Sequence, residues 1–151
     1  MNAATHQLSF APGNYVTGSA FSTNGKDFPE FVATSRLIEK RKAGISQTEA
    51  IVITAIDREE KKTRASITST RELIISIPAN LEPGSYDLNT RDDVSFSLKE
   101  STTIYEGISG SIELVPASEG NVRGNFNVDL ELPETDGQTM LLKGQFQVRK
   151  A

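Results

Sequence analysis

Apolar and polar side chains alternate along most of this chain with a period of two. The clearest instance is a pair of matched segments, Val122-Arg-Gly-Asn-Phe-Asn-Val128 and Leu142-Lys-Gly-Gln-Phe-Gln-Val148, in which each position of the second repeats the first or replaces it with a close chemical relative. A period of two is that of a half-buried strand. Between them lies Pro133-Glu-Thr-Asp-Gly137. Its Asp-Gly tolerates positive φ, which predicts an antiparallel hairpin with a loop of about five residues. With Leu132 paired to Gln138, Val128 falls opposite Leu142, Phe126 opposite Gly144 and Gly124 opposite Phe146. Each phenylalanine then covers the glycine across from it, which replaces packing that a strand glycine lacks. Valine at Gly124 or Gly144 is expected to overpack, at about 1–3 kcal/mol. The same register turns Arg123, Asn125, Asn127 and Asp129, with Lys143, Gln145, Gln147 and Arg149, toward solvent. Arg123, Asn125, Asn127, Lys143, Gln145 and Gln147 therefore form a candidate interaction surface, weighed against the ordinary solvated face of an antiparallel sheet.

The rest of the chain repeats this pattern more loosely. Residues 1–13 lack periodicity and end in Pro12-Gly13, so they read as an arm in which Leu8 and Phe10 can dock as an edge strand; residues 14–151 read as a single β domain. Tyr15, Thr17, Ser19 and Phe21 share one face, and Asn24-Gly25 signals a hairpin. Phe31, Ala33, Ser35 and Leu37 fit a strand, although Arg36 to Ala43 followed by Gly44 also fits a short helix; the neighbouring strands favour strand. Ile51 to Ile56 is short and rich in β-branched residues, hence a buried strand. Asp57 to Arg64 carries mixed charge and reads as a solvated loop, with an exposed helical turn or a hairpin tip as alternatives. Leu73 to Ile77 resumes the sheet until Pro78. Pro83-Gly84 turns the chain into Ser85 to Leu88, and Val94, Phe96 and Leu98 alternate with polar residues. Thr102 to Tyr105 and Ile108 to Leu114 read as two strands separated by Gly107 and closed by Pro116.

Some 8–10 short strands with turn residues between them predict an all-β fold, a single-domain antiparallel β-sandwich or barrel. Pro29, Pro78 and Pro116 stand where a sandwich would protect its edges. A chain of 151 residues is long enough to bury one real core. Cys 0 removes disulfides and thiolate chemistry, and a net charge of -4 gives no electrostatic reason to expect nucleic acid as partner. No apolar stretch approaches the length of a membrane span, and the opening residues carry no export signal. The chain therefore reads as soluble, cytoplasmic as written, and periplasmic or surface-exposed if a leader has been removed.

Ile53-Thr-Ala-Ile-Asp57, Ile77-Pro-Ala-Asn-Leu-Glu-Pro-Gly-Ser-Tyr-Asp-Leu88, Ser109-Gly-Ser-Ile-Glu-Leu114 and the two Gly-x-Phe strands resemble a group of small uncharacterised all-β proteins, many of them bacterial surface lipoproteins. The resemblance covers about residues 17–149. It implies a β fold and carries no activity with it. The chain departs from the group in lacking the lipidated cysteine and in residues 58–71, which look inserted.

Candidate chemistry is sparse. His6 is the only histidine, which prevents assembly of a Ser-His-Asp triad or a histidine metal site from its arm. No glycine-rich phosphate loop precedes a helix, and no cofactor is implied. Asp87, Asn89, Asp92 and Asp93 cluster around a turn as weak oxygen ligands for a metal, but their spacing departs from a calcium loop. A carboxylate hydrolase can be nominated from several acid pairs without any being selected. With Trp 0 and Tyr 3, stacking platforms for sugars or bases are few. The expected function is a non-catalytic binding or interaction module acting through loops and an outer sheet face, its protein or small-molecule partner unspecified. The alternative is a calycin-like carrier of a small apolar ligand in a barrel interior, which a hollow core would favour.

Overall fold

The computed structural model describes residues 15–22, 28–43, 48–59, 69–80, 82–117, 121–133 and 135–149. The arm with His6, Leu8 and Phe10, the Asn24-Gly25 turn, Gly44 and residues 60–68 of the charged run lie outside the described residues. Ten strands are present: β1 (Tyr15–Ser22), β2 (Phe31–Val32), β3 (Ser35–Ala43), β4 (Thr48–Glu59), β5 (Ser69–Pro78), β6 (Gly84–Asp87), β7 (Ser95–Glu100), β8 (Thr103–Val115), β9 (Val122–Glu131) and β10 (Thr139–Val148). All pairings are antiparallel, in the order β2-β1-β10-β9-β8-β7-β5-β4-β3, with β6 added to β8. The sheet curls into a half-barrel.

The closing hairpin has the register its sequence predicts. Val128 pairs with Leu142, Phe126 with Gly144 and Gly124 with Phe146, and the Leu132 N–H donates to the Gln138 carbonyl at 2.9 Å. A Cβ on Gly144 would meet the Phe126 ring at 2.5 Å and the Thr17 carbonyl oxygen at 2.0 Å. Glycine is therefore required twice over there, by the covering ring and by the close approach of β1. Phe126 also reaches Gly18 on β1, a contact three strands wide that pairwise register does not reveal. Phe31, Phe96, Phe126 and Phe146 are all fully buried and occupy the centre with Leu98, Ile112 and Met140. Phe96 and Phe126 pack at 4.8 Å between ring centroids. Burial of each such side chain contributes on the order of 2–3 kcal/mol.

One strand assignment differs from the alternation pattern, and a bulge explains the difference. The two predicted segments form one strand, β8 (Thr103–Val115), because Gly107 does not end it: the register shifts between Gly107 and Ser109, leaving Ile108 as an extra residue, 43% exposed. Gly110, at φ 102, completes the bend, and a Cβ there would fall 2.1 Å from the Asn127 carbonyl oxygen. In β1, Tyr15, Thr17, Ser19 and Phe21 share one face as their alternation predicts, with Phe21 62% exposed and Val16 and Gly18 buried on the other, and the register shifts only between Ala20 and Ser22. The Tyr15 face is thus the outer one.

The Phe31 to Leu37 face is also interrupted. Phe31 and Ala33 are buried, but Ser35 and Leu37 are exposed, because the chain changes partner at Ala33-Thr34. The Ala33 N–H donates to the Val16 carbonyl on β1 at 3.0 Å, and the Thr34 N–H to the Ile56 carbonyl on β4 at 2.7 Å. Successive residues therefore stitch together the two ends of the strand path. Asp57, read from sequence as the start of a solvated loop, lies inside this corner opposite Arg71 on β5. Arg71 donates to Asp57 Oδ2 at 2.8 Å and to the Pro29 and Glu30 carbonyls at 2.7 and 2.8 Å, and it sits over the Phe28 and Phe31 rings. Asp57 Oδ2 also accepts from the Val32 N–H at 3.0 Å. Both terminal guanidinium nitrogens and Asp57 Oδ2 are hydrogen-bonded, and compensation of that kind is the condition for burying charge. Pro78 ends β5, an interior strand, so its place is ladder termination rather than edge protection.

Candidate functional site

At the opposite end the half-barrel opens. The partners of β8 explain why. Its first residues pair with β7, whereas Ser111 to Leu114 pair with β6 along the edge that β7 has left. Beyond the bend, β7, β5, β4 and β3 diverge from β6, β8 and β9, and a cleft of about 400 Å³ lies between the two halves. One wall carries Ile38, Ile51 and Ile77, the other carries Leu114 and Val122, and Pro78 and Pro83 also border the cleft. The isoleucines stand there because inward-facing positions on paired strands align: Lys40 pairs with Ile51, and Ile51 with Ile77. Ile77 and Leu114 are nearly fully covered, whereas Ile38, Ile51 and Val122 are half-buried. The wall therefore grades from packed core to accessible apolar surface.

The rim is charged. Lys40 continues the Ile51–Ile77 row to the solvent edge, and Arg123 stands at the start of β9 on the other side. Both are exposed, and neither is in an ion pair among the described residues. Two of the nearby acids are engaged. Glu39 pairs with Arg41, and Asp93 takes two hydrogen bonds from Arg91, at 2.8 and 2.9 Å. That hydrogen-bonded guanidinium holds the Asp93 carboxyl below its ordinary value and raises Arg91 in turn. Glu49, on β4, borders a second hollow beside the mouth with Lys40 and Asp93.

Of the residues nominated from sequence, the six of the closing hairpin stand together on its outer face, Arg123 opposite Gln147, Asn125 opposite Gln145 and Asn127 opposite Lys143, while the aspartates lie apart from them. Arg123 reaches the mouth, and with Gln147 it borders a shallow hollow outside it. Asn125 donates to Glu113 Oε1 at 3.0 Å, and Lys143 lies over the Phe21 ring at 5.2 Å, so both are held within the outer surface. Asn125, Lys143 and Gln145 border a shallow depression beside Phe21, while Asn127 stands exposed next to them in the sheet. Asp87, Asp92 and Asp93 are exposed on the β6–β7 connection, where the Asp87 carbonyl accepts from Thr90 Oγ1. Among the described residues no three acids or histidines gather as a metal cluster would. The apolar wall of the mouth was not nominated from sequence. Its residues come from five strands, and each reads locally as ordinary core.

Comparison with family models, with curated proteins and with solved structures found no match. Among the described residues no helix is long and apolar enough to cross a membrane.

Proposed function

We propose that this protein is a non-catalytic binding module that receives the apolar part of a small ligand in the mouth of its half-barrel. The single observation that carries this reading is the cleft of about 400 Å³, whose apolar walls rise from the core to a charged rim. That size lies within the usual range for ligand sites, and apolar lining with a few polar groups is their usual chemistry. The packed centre supports uptake at the mouth over enclosure deep in a hollow interior, since four buried phenylalanines fill the space a deeper ligand would need. The engagement of Glu39 and Asp93 in ion pairs supports binding over carboxylate catalysis at this site. Loops and strand ends, rather than the outer sheet face, then make the contacts.

Ala117 borders the cleft and is exposed, so a bulky side chain there fills the cleft without entering the core. With Trp 0 in the chain, Ala117→Trp also adds a single tryptophan that can be excited apart from the tyrosines. The neutral dye Nile red is expected to gain fluorescence with the native protein and to lose that gain with Ala117→Trp, while the thermal midpoint is retained. Equal dye binding by both proteins would count against the cleft.

A further inference from the structure

We infer that the ligand of the mouth is a single-chain amphipath with a carboxylate head, its alkyl chain against Ile38, Ile51 and Val122 and its head between Lys40 and Arg123. This rests on the reading of the mouth as a binding cleft and adds the chemistry of the occupant. The argument is one of charge complementarity. The protein as a whole carries a net charge of -4, yet the cations lining this cleft, Lys40 and Arg123, are in no ion pair among the described residues, while the acid lining it, Glu39, is paired with Arg41. Lys40 belongs to the inward row of β3, so its aliphatic stem continues the apolar wall and its ammonium stands where that wall meets water. Arg123 offers a planar fork of donors from the facing strand, a geometry suited to a carboxylate. Glu49, beside the second hollow, disfavours a second negative charge on the ligand and so favours a singly charged head over a phosphate.

The test is a titration of the full chain with decanoate and, separately, with decanol, followed by NMR of the isoleucine and leucine methyl groups at concentrations below micelle formation. Decanoate is expected to bind about tenfold more tightly than decanol, the worth of one charge-assisted contact. In the Lys40→Gln, Arg123→Gln double variant that preference is expected to vanish. Both positions are exposed and have no ion-pair partner among the described residues, so the thermal midpoint should hold. Equal binding of the two molecules by the native protein overturns the carboxylate assignment and leaves the apolar cleft standing. A preference that survives in the double variant also overturns it, since the head would then be held elsewhere. Failure of both molecules to bind overturns the cleft and the assignment together.

Discussion

The two ends of the half-barrel are built from the same inward row of side chains on β3, β4 and β5, and they use it in opposite ways. At the stitched corner the row carries Asp57 and Arg71, and three backbone groups of the β2 segment bond to the pair. At the mouth the row carries Ile77, Ile51 and Lys40, and no strand bonds across it among the described residues. A charge at an inward position is affordable only with partners or with water. At the corner the chain supplies the partners and the sheet closes. At the mouth it supplies none, and the charge stays in water at the lip of an apolar cleft.

The comparison breaks most readily at the corner. Arg71→Met leaves Asp57 buried with a single donor and strands two backbone carbonyls, so a loss of about 3–5 kcal/mol is expected in urea denaturation. A loss no larger than that of a surface substitution would mean that the corner does not hold the sheet closed. Gly144→Ala ranks next. Its Cβ would lie 2.0 Å from a β1 carbonyl oxygen, so backbone must move, and about 3 kcal/mol is expected at the upper end of over-packing costs. An alanine variant as stable as the native protein would contradict the close approach of β1 and β10.

The smallest effect belongs to Asp93, beside the mouth. Its carboxyl is held below the ordinary value by Arg91, so whatever stability it contributes is present above the unfolded-state value and is lost as pH falls through the lower folded value. Because the pair is exposed, solvent screens it. Asp93→Asn should leave the urea midpoint nearly unchanged at pH 7, and any difference from the native protein should begin to shrink as pH falls below the ordinary aspartate value of about 3.9 and vanish only below the lower folded value. A drop at pH 7 comparable to that of Arg71→Met would erase the distinction between the two ends.

Much of the fold is legible one strand at a time. The hairpin of β9 and β10 could be registered from sequence because the turn fixes its start and the facing Phe–Gly pairs leave one sensible alignment. Gly107 was visible as an interruption, but whether it ends a strand or bulges one depends on Leu130 and Asp129, across the sheet on β9. Asp57 illustrates a harder case. In a run of charges it reads as solvated, and only Arg71 and the backbone of Val32, far away in sequence, make its burial tolerable. The candidate site was legible only at Arg123, since an isoleucine that lines a cleft and one that fills a core have the same local pattern.

The sequence by itself determined the strand period, the all-β class and the closing register, because these follow from side-chain alternation and turn dihedrals within a few residues of each other. Tertiary structure alone decided where the sheet closes and where it opens. Closure depends on compensating a buried charge with groups up to 42 residues away, and the mouth depends on β8 changing partners at a bend. Both are free energies of meeting, which no single segment contains.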